Sequence, residues 1–353
     1  MKKDLGHDLL RERIEGLEET LLMTGGCLDC AGAGTDVDIS NRFVVTGVGS
    51  SESHARFLVS LINRCTGRSA RYEPLSYFYG EAFRGEGEAT LIVFSQGLSS
   101  NAQIALKRRG EYNSTVVFTS CTEAGLRAKD SLGRVALLSE LEEERATSIV
   151  SFPLEDEYSI LIRVVGPLNG YLACLEWSEE VLGLKVDRPD REAWKEVIGR
   201  VRGAAALERL VDDFIEGVDF NFSNTCGGYA QSLAFKRVEG IFGAQPVLRD
   251  LFQYSHGPFQ QNSISKHAQW IFATDTTSDK KLVETVLPLF QRAVDSVRII
   301  ESPFDEPWAI VYYELLLNRV MLAAIERLEI DQVDWPMKGK DGEAYGLSDF
   351  WDG

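Results

Sequence analysis

The feature that most constrains the fold of this chain is a three-part unit: an apolar strand, a loop of glycine and serine, and an amphipathic helix. It first occurs in RFVVTGVGSSESHARFLVSLIN, residues 42–63, where apolar residues follow the loop at the three- and four-residue spacing of a helix. It returns in LIVFSQGLSSNAQIALKR, residues 91–108, and STVVFTS, residues 114–120, is a third strand. Strands that alternate with helices predict a doubly wound α/β fold with a mostly parallel sheet.

The same pattern recurs in the second half of the chain. Residues 217–242, GVDFNFSNTCGGYAQSLAFKRVEGIF, and residues 268–290, AQWIFATDTTSDKKLVETVLPLF, each predict a strand, a polar loop and a helix. A further strand at residues 296–300 precedes a long apolar helix at residues 307–328. The second half therefore predicts another α/β sheet flanked by helices.

The length of the chain and this repetition predict two domains. A chain of 353 residues exceeds what one hydrophobic core usually holds. A polar helical segment at residues 189–203 connects the two halves. We expect a first α/β domain with an N-terminal helix at residues 1–185, and a second α/β domain with a C-terminal tail at residues 186–353.

Composition and charge exclude several classes of partner. The formal net charge is −17, which argues against a general nucleic-acid binder because phosphate backbones require basic stripes. No apolar run reaches the ~18 residues of a membrane span, and the N-terminal stretch lacks the apolar core of a signal peptide. We therefore expect a cytoplasmic protein that binds neither nucleic acid nor membrane.

The cysteines predict free thiols. Four of the six stand alone, while Cys27 and Cys30 form C-L-D-C without the second ligand pair that a structural zinc site needs. A redox role would require a thioredoxin-like context, which the sequence lacks. We expect no metal site and no cofactor.

The loops that follow the first two strands predict an anion site. Ligands of open α/β sheets bind beyond the carboxyl ends of the strands, where helix N-termini offer unpaired N–H groups to phosphate. Serine hydroxyls in these loops are further neutral donors, so an anion could bind here without basic side chains. The alternative is that these glycines and serines only allow the strand and the helix to pack closely, since both residue types are common in such turns. The hydroxyls belong to Ser50, Ser51, Ser95, Ser99 and Ser100.

Two other phosphate motifs do not fit. The dinucleotide fingerprint G-x-G-x-x-G requires a third glycine at position 52, which is Glu52. The G-K-[ST] end of a Walker loop does not occur in the chain.

Five short motifs, in their order along the chain, resemble the tandem sugar isomerase (SIS) domain family. The arrangement is similar to the isomerase half of glucosamine-6-phosphate synthase and to fructosamine-6-phosphate deglycases, over nearly the whole chain. The motifs are Gly49-Ser50-Ser51, Ser95-Gln96, SLAFKRVEG at residues 232–240, YSHGP at residues 254–258 and DQVDWP at residues 331–336.

The resemblance implies a division of roles among these residues. Glu239 falls on the carboxylate that moves a proton between sugar carbons, with Lys236 three residues earlier on the same helix face. His256 falls on a histidine that assists ring opening and comes from the neighbouring subunit, which implies a homodimer. Lys338 or Lys340 falls near a lysine that contacts the open-chain carbonyl. The implied substrate-binding residues are Gly49, Ser50, Ser51, Ser95, Gln96, Ser99 and Ser100.

For two of these assignments, the residue types alone also allow a purely structural role. Glu239 could form only a surface salt bridge with Lys236, and His256 could only cap a turn. Removing a proton next to a carbonyl nevertheless needs a carboxylate base, and often a histidine to open the ring.

The chain departs from the family at two places around the sugar phosphate. Gly97 stands where relatives usually have a second serine, and YSILIRVVGPLNG at residues 158–170 replaces a Ser-Thr-Lys segment. The resemblance implies a phosphosugar isomerase, deaminase or deglycase without a glutaminase domain. The alternative is a sugar-phosphate sensor that keeps the fold without catalysis; retention of Glu239 with His256 favours the enzyme.

Overall fold

The structure is a computed structural model that contains two parallel sheets. It describes residues 4–32, 38–80, 83–154, 157–265, 267–340, 342 and 346, and the backbone alone of residues 204–206. The N-terminal helix α1 is His7–Thr24. Elements of the first sheet follow in chain order: β1 Arg42–Gly47, α2 Ser50–Cys65, β2 Ser69–Tyr72, α3 Leu75–Phe78, β3 Thr90–Phe94, α4 Ser100–Leu106, β4 Ser114–Thr119, α5 Glu123–Ala128, α6 Leu132–Glu143, β5 Thr147–Ser151 and α7 Val165–Leu182.

The first sheet has the strand order β2-β1-β3-β4-β5, and all its pairings are parallel. Every residue of β3 and β4 is buried, as is all of β1 after Arg42. Strands in the middle of a parallel sheet are covered on both faces, which explains their unbroken apolar sequences. The chain leaves β1 toward β2 on one side and β3 on the other, so the topological switch point lies between β1 and β3.

The second sheet repeats this plan with four parallel strands in the order β7-β6-β8-β9. Its switch point lies between β6 and β8. The two sheets confirm the predicted doubly wound α/β fold. The elements are α8 Arg191–Arg202, α9 Ala204–Glu216, β6 Val218–Phe222, α10 Gln231–Ile241, β7 Leu248–Asp250, α11 Pro258–Ser265, β8 Ala268–Thr274, α12 Thr277–Ala293, β9 Val297–Ser302 and α13 Ala309–Arg327.

The chain divides into two compact units, each built on one sheet. The first-sheet unit contains residues 27–156, 169–186 and 336–353. The second-sheet unit contains residues 1–26, 157–168 and 187–335. This division differs from a single boundary after residue 185, because the N-terminal helix and the segment 157–168 group with the second sheet.

The packing of α1 explains why it groups with the second sheet. Its apolar face, which includes the fully buried Leu10 and Ile14, lies against α8 and α13. The buried Glu18 carboxylate accepts hydrogen bonds from Arg319, 2.6 Å from Nη2, and from Arg202, 2.7 Å from Nε. An amphipathic helix must cover its apolar stripe, and α13 provides the matching surface.

The described helices include none that is both long and apolar enough to cross a membrane. The six cysteines are free thiols. Within the described ranges, no group of three His, Cys, Asp or Glu side chains could hold a metal ion.

Candidate functional site

The backbone at the junction between β1 and α2 requires glycine at two positions. A Cβ on Gly47 would lie 2.4 Å from the carbonyl oxygen of Ser51, so only glycine allows α2 to start this close to the strand. Gly49 has φ 65° and ψ −134°, a conformation that side chains other than glycine rarely adopt. The glycines therefore serve the close approach of strand and helix.

The first turn of α2 leaves donors available at this junction. No side chain caps the helix N-terminus. Ser50 and Ser51 are half-buried, and their N–H groups make no hydrogen bond within the described part of the chain. A 16-residue helix with an uncapped, partly enclosed N-terminus is suited to an anion.

The loop after β3 is held in place by buried hydrogen bonds. The Ser95 N–H donates to Phe118 O at 2.9 Å, and the Ser95 hydroxyl accepts the Ser99 N–H at 3.1 Å. The Gln96 carbonyl accepts both the N–H and the hydroxyl of Ser120, at 3.1 and 2.9 Å. The Gln96 Nε2 atom is buried and has no hydrogen-bond partner among the described residues. A buried amide donor without a partner is available to a ligand.

Sequence reasoning missed one cation at this loop. Arg134 of α6 donates from Nη1 to the Gly97 carbonyl at 3.0 Å. The expectation of neutral donors alone was therefore incomplete, because a guanidinium contacts the loop. Arg134 lies 37 residues beyond Gly97, so no local motif connects the two positions.

The structure brings the predicted substrate-binding residues to one edge of the first sheet. In the parallel pairing of β1 with β3, Gly47 lies opposite Phe94, so the two loops leave the sheet side by side at the switch point. The loops contain Gly49, Ser50, Ser51, Ser95, Gln96, Ser99 and Ser100.

Glu239 lies near the end of α10 in the second-sheet unit, half-buried. Burial raises the pKa of its carboxyl above the ordinary value of 4.5, and the charges of Arg163 and Lys236 oppose that rise. Its carboxylate makes no hydrogen bond or ion pair with any residue that the structure describes. A buried carboxyl with a raised pKa is a candidate for proton transfer near neutral pH.

Lys236 contacts α13 rather than Glu239. The side chain is fully buried; its Nζ lies 2.7 Å from Glu314 Oε2 and donates to Asn318 Oδ1 at 2.6 Å. The other Glu314 oxygen accepts the Ser232 hydroxyl at 2.6 Å. The surface salt bridge between Lys236 and Glu239, which was the alternative to a catalytic role, does not form, because the buried ammonium pairs with the fully buried carboxylate of Glu314. A catalytic role for Lys236 stays a prediction.

Gln332, within the DQVDWP motif, connects the end of α10 to the segment 157–168. Its Nε2 donates to the carbonyl oxygens of Glu239 and Gly240, at 3.2 and 2.9 Å. Its Oε1 accepts the Ile162 N–H at 3.1 Å, and its carbonyl accepts the Leu161 N–H at 3.0 Å. This fully buried amide therefore fixes the backbone around Glu239, a role the sequence motif did not reveal.

Comparisons with known proteins identify the fold of this chain but find no relative that is close in sequence. No family model matches the chain, and no curated protein matches its sequence. The C-terminal domain of glucosamine-fructose-6-phosphate aminotransferase from Francisella tularensis superposes with a TM-score of 0.69 at 10% identity, over 92% of this chain and 98% of that one. The fold is that of the tandem sugar isomerase domains.

Two further solved structures share the sugar isomerase fold. Tagatose-6-phosphate ketose/aldose isomerase from Escherichia coli has a TM-score of 0.61 at 15% identity, over 93% of this chain and 90% of that one. Glucosamine-6-phosphate deaminase from Thermotoga maritima has a TM-score of 0.56 at 16% identity, over 90% and 94%. At these identities the likeness concerns the fold, and the chemistry of this chain must be argued from its own residues.

His256 lies at an exposed turn of the second-sheet unit. Its N–H donates to Gln253 O at 3.0 Å, and its ring makes no hydrogen bond within the described ranges. Two apolar side chains nearby in sequence are strongly exposed: Phe252 at 68% and Ile264 at 83%. The ring is therefore accessible in a single chain, and its catalytic role stays a prediction.

The two C-terminal lysines lie in the segment that groups with the first-sheet unit. Both are exposed, and the Lys340 N–H donates to Met337 O at 2.9 Å. Most positions beyond Lys340 are outside the described residues. Which of Lys338 and Lys340 contacts a ligand stays open.

Proposed function

We propose that this chain is an enzyme that processes a phosphorylated sugar by moving a proton next to a carbonyl. The observation that carries the proposal is Glu239, a half-buried carboxyl with a raised pKa and no hydrogen-bond partner among the described residues. Support also comes from the sugar isomerase fold, which the chain shares with a ketose/aldose isomerase and a deaminase of phosphosugars. The reaction is an isomerisation, a deamination or a deglycation.

The phosphate is assigned to the switch point of the first sheet. There the uncapped N-terminus of α2 offers the N–H groups and hydroxyls of Ser50 and Ser51. The buried Gln96 amide is a further donor, and Arg134 adds a positive charge at the neighbouring loop. Phosphate accepts several such hydrogen bonds at once, and charge-assisted ones are the strongest.

Glu239 is assigned the proton transfer. As the carboxylate it removes a proton from the carbon next to the carbonyl of the open-chain sugar, and the electron pair moves onto the carbonyl oxygen. As the carboxylic acid it returns the proton to the neighbouring carbon. Because its pKa is raised, this carboxyl holds its proton at a pH closer to neutrality than an ordinary glutamate does.

His256 is assigned to ring opening in a homodimer. Its exposed position, with the exposed Phe252 and Ile264 nearby in sequence, supports a surface that a second copy covers. Exposed apolar side chains that cluster on one surface are characteristic of interfaces.

The test separates binding from turnover. Ser51→Leu fills the space at the α2 N-terminus and should abolish the thermal stabilisation that fructose 6-phosphate or glucosamine 6-phosphate gives, with little change in the ligand-free melting temperature. Ser95→Ala should weaken the stabilisation, because a lost donor costs about 1–3 kcal/mol. Glu239→Gln should retain binding and lose turnover.

The control for Ser51→Leu is Ser60→Leu, the same change at a half-exposed position further along α2. It should leave the ligand effect intact. If Ser51→Leu lowers ligand-free stability sharply and leaves affinity unchanged, the junction is only a packing solution. If Glu239→Gln retains turnover while sugar phosphates bind, the carboxyl is not the base; a chain that binds them and never turns them over is a sensor.

A further inference from the structure

The second-sheet unit contains a cavity of about 160 Å³ at the edge of the sheet where the strands begin. Gly217, Val247 and His267 line it, and they immediately precede β6, β7 and β8. Ligands of open α/β sheets usually bind at the opposite edge, beyond the carboxyl ends of the strands. The cavity is therefore separate from the switch point of this sheet. Its polar lining residues are Glu216, Asp219, Arg237, Gln245, Gln261 and His267.

The cavity also lies apart from the carboxyl that is assigned the proton transfer. Arg237 of α10 lines it, whereas Glu239 of the same helix does not. Two helical residues that are two positions apart point about 200° away from each other, since each residue turns an α-helix by roughly 100°. The cavity and the Glu239 carboxyl therefore lie on different sides of α10.

Arg237 brings a buried positive charge to this cavity, since the residue is only 7% exposed. Its Nε donates to Phe214 O at 2.7 Å, its Nη2 to Ile215 O at 3.0 Å and its Nη1 to Ala244 O at 2.5 Å. All three acceptors are carbonyl oxygens, and a guanidinium has five N–H donors, so two of them have no partner among the described residues. Burial lowers the pKa of Arg237 below its ordinary value, and the charge of Asp219 offsets only part of that effect.

One of the two carboxylates that line the cavity is already neutralised. Asp219 Oδ2 lies 2.9 Å from Nη1 of the buried Arg249. Glu216 is exposed, and its carboxylate makes no hydrogen bond or ion pair within the described ranges. Glu216 directly follows Ile215, whose carbonyl accepts from Arg237, so the unpaired carboxylate and the spare guanidinium donors belong to neighbouring positions. The cavity therefore offers a ligand one positive and one negative group.

We propose that this cavity binds a small α-amino acid, with its carboxylate on Arg237 and its ammonium on Glu216. The proposal goes beyond the phosphosugar chemistry and does not depend on it. An α-amino acid carries its two charged groups on one carbon, which matches two opposite charges at neighbouring positions. A simple anion would be repelled by Glu216 and a simple cation by Arg237, whereas a zwitterion avoids both repulsions.

The size of the cavity favours the smaller amino acids. A water molecule takes about 30 Å³ in the liquid, so the cavity has room for about five non-hydrogen atoms. Glycine has five and alanine has six. A longer side chain would have to extend toward solvent past Gln245 and Gln261, which are both exposed.

The test compares L-alanine with two compounds that each keep one of its charged groups. Propionate keeps the carboxylate, and ethylamine keeps the ammonium. In titration calorimetry of the full chain near pH 7, L-alanine should bind at one site per chain, and the other two should bind weaker by about tenfold or more. Glycine should also bind, because it has the same two charged groups.

Glu216→Gln should weaken the binding of L-alanine by about tenfold or more, because the amide keeps the shape of the side chain and loses its charge. The ligand-free melting temperature should stay the same, since Glu216 is exposed and unpaired among the described residues. The control is Glu208→Gln, the same change at another exposed position of α9, which should leave binding intact.

Arg237→Lys should also weaken the binding of L-alanine, because the charge remains and the planar fork is lost. Arg237 holds three carbonyls as well, so thermal melting must first show that this variant folds. If it does not fold, Glu216→Gln with its control still decides the question.

Three results would overturn the proposal. Propionate that binds as tightly as L-alanine would indicate a site for simple anions. Binding of L-alanine that Glu216→Gln leaves unchanged would place the amino acid elsewhere on the chain. A chain that binds neither glycine nor L-alanine would leave Arg237 with the single role of capping the end of α9.

Discussion

At the residue scale, the burial of Glu239 couples its ionisation to stability. The raised pKa means that the folded state favours the protonated form. That contribution to stability is complete below the pKa of the unfolded chain and is lost as the pH rises through the folded-state pKa. Arg163 and Lys236 reduce the effect without reversing it.

Glu239→Gln should therefore become relatively more stable as the pH rises. Glutamine has a similar shape and never ionises, so its melting temperature should match that of the wild type near pH 4 and exceed it at pH 8. Calorimetric melting at pH 4, 6 and 8 measures the difference. Glu284→Gln, at an exposed position of α12, should show little change at any pH. A difference in melting temperature between Glu239→Gln and the wild type that stays constant with pH would show that burial does not raise the pKa of this carboxyl.

At the element scale, the β1–α2 junction depends on a close approach between strand and helix. The Cβ of Gly47→Ala would meet the backbone of Ser51 and not a side-chain end that could move away. The helix would have to shift, which should cost about 1–3 kcal/mol of unfolding free energy. Because the shift displaces the α2 N-terminus, the variant should also lose stabilisation by sugar phosphates.

Gly133→Ala in α6 is the matched control in the same unit. Nothing lies within 4 Å of the Cβ that it would add, so stability should stay the same or rise slightly. Urea denaturation of both variants gives the comparison. Equal stability of Gly47→Ala and the wild type would contradict the proposed strand–helix constraint.

At the scale of the whole molecule, we expect a homodimer whose active sites combine residues of two chains. The basis is the exposed position of the His256 side chain, with the strongly exposed Phe252 nearby in sequence. Glu239→Gln and His256→Ala should each be inactive alone. Mixed dimers of the two should regain activity, because one of their two sites then has both functional groups.

The measurement is turnover after subunit exchange, with exchange followed by differently tagged chains. Ser263→Ala, an exposed change in α11, should neither lose activity nor affect recovery. Demonstrated exchange without recovery would indicate sites built within one chain, and a monomer at working concentrations would exclude the shared site altogether.

The sequence by itself determined the fold class and most of the central strands. The apolar runs within β1, β3, β4 and β8 are unbroken because these strands are covered on both faces, whereas β6 reads VDFNF and includes two polar residues. Apolar residues at helical spacing predicted the helices that follow several of these strands. Of the edge strands, β9 was predicted, whereas β2, β5 and β7 were not. β2 reads SARY and β7 reads LRD, and an edge strand has a neighbour on one side only, so it needs little apolar sequence.

The tertiary structure alone decided the domain division and the partners of the charged residues. The helix α1 is first in the chain and yet packs with α13, since covering an apolar face does not depend on sequence distance. Lys236 forms its ion pair with Glu314 of α13, which is distant in sequence, and not with Glu239 on its own helix. Arg134 and Gln332 likewise reach their partners from distant segments. Local periodicity shows which residues share a helix face. The partner of a buried charge is instead the group that packing places beside it, and packing depends on the whole fold.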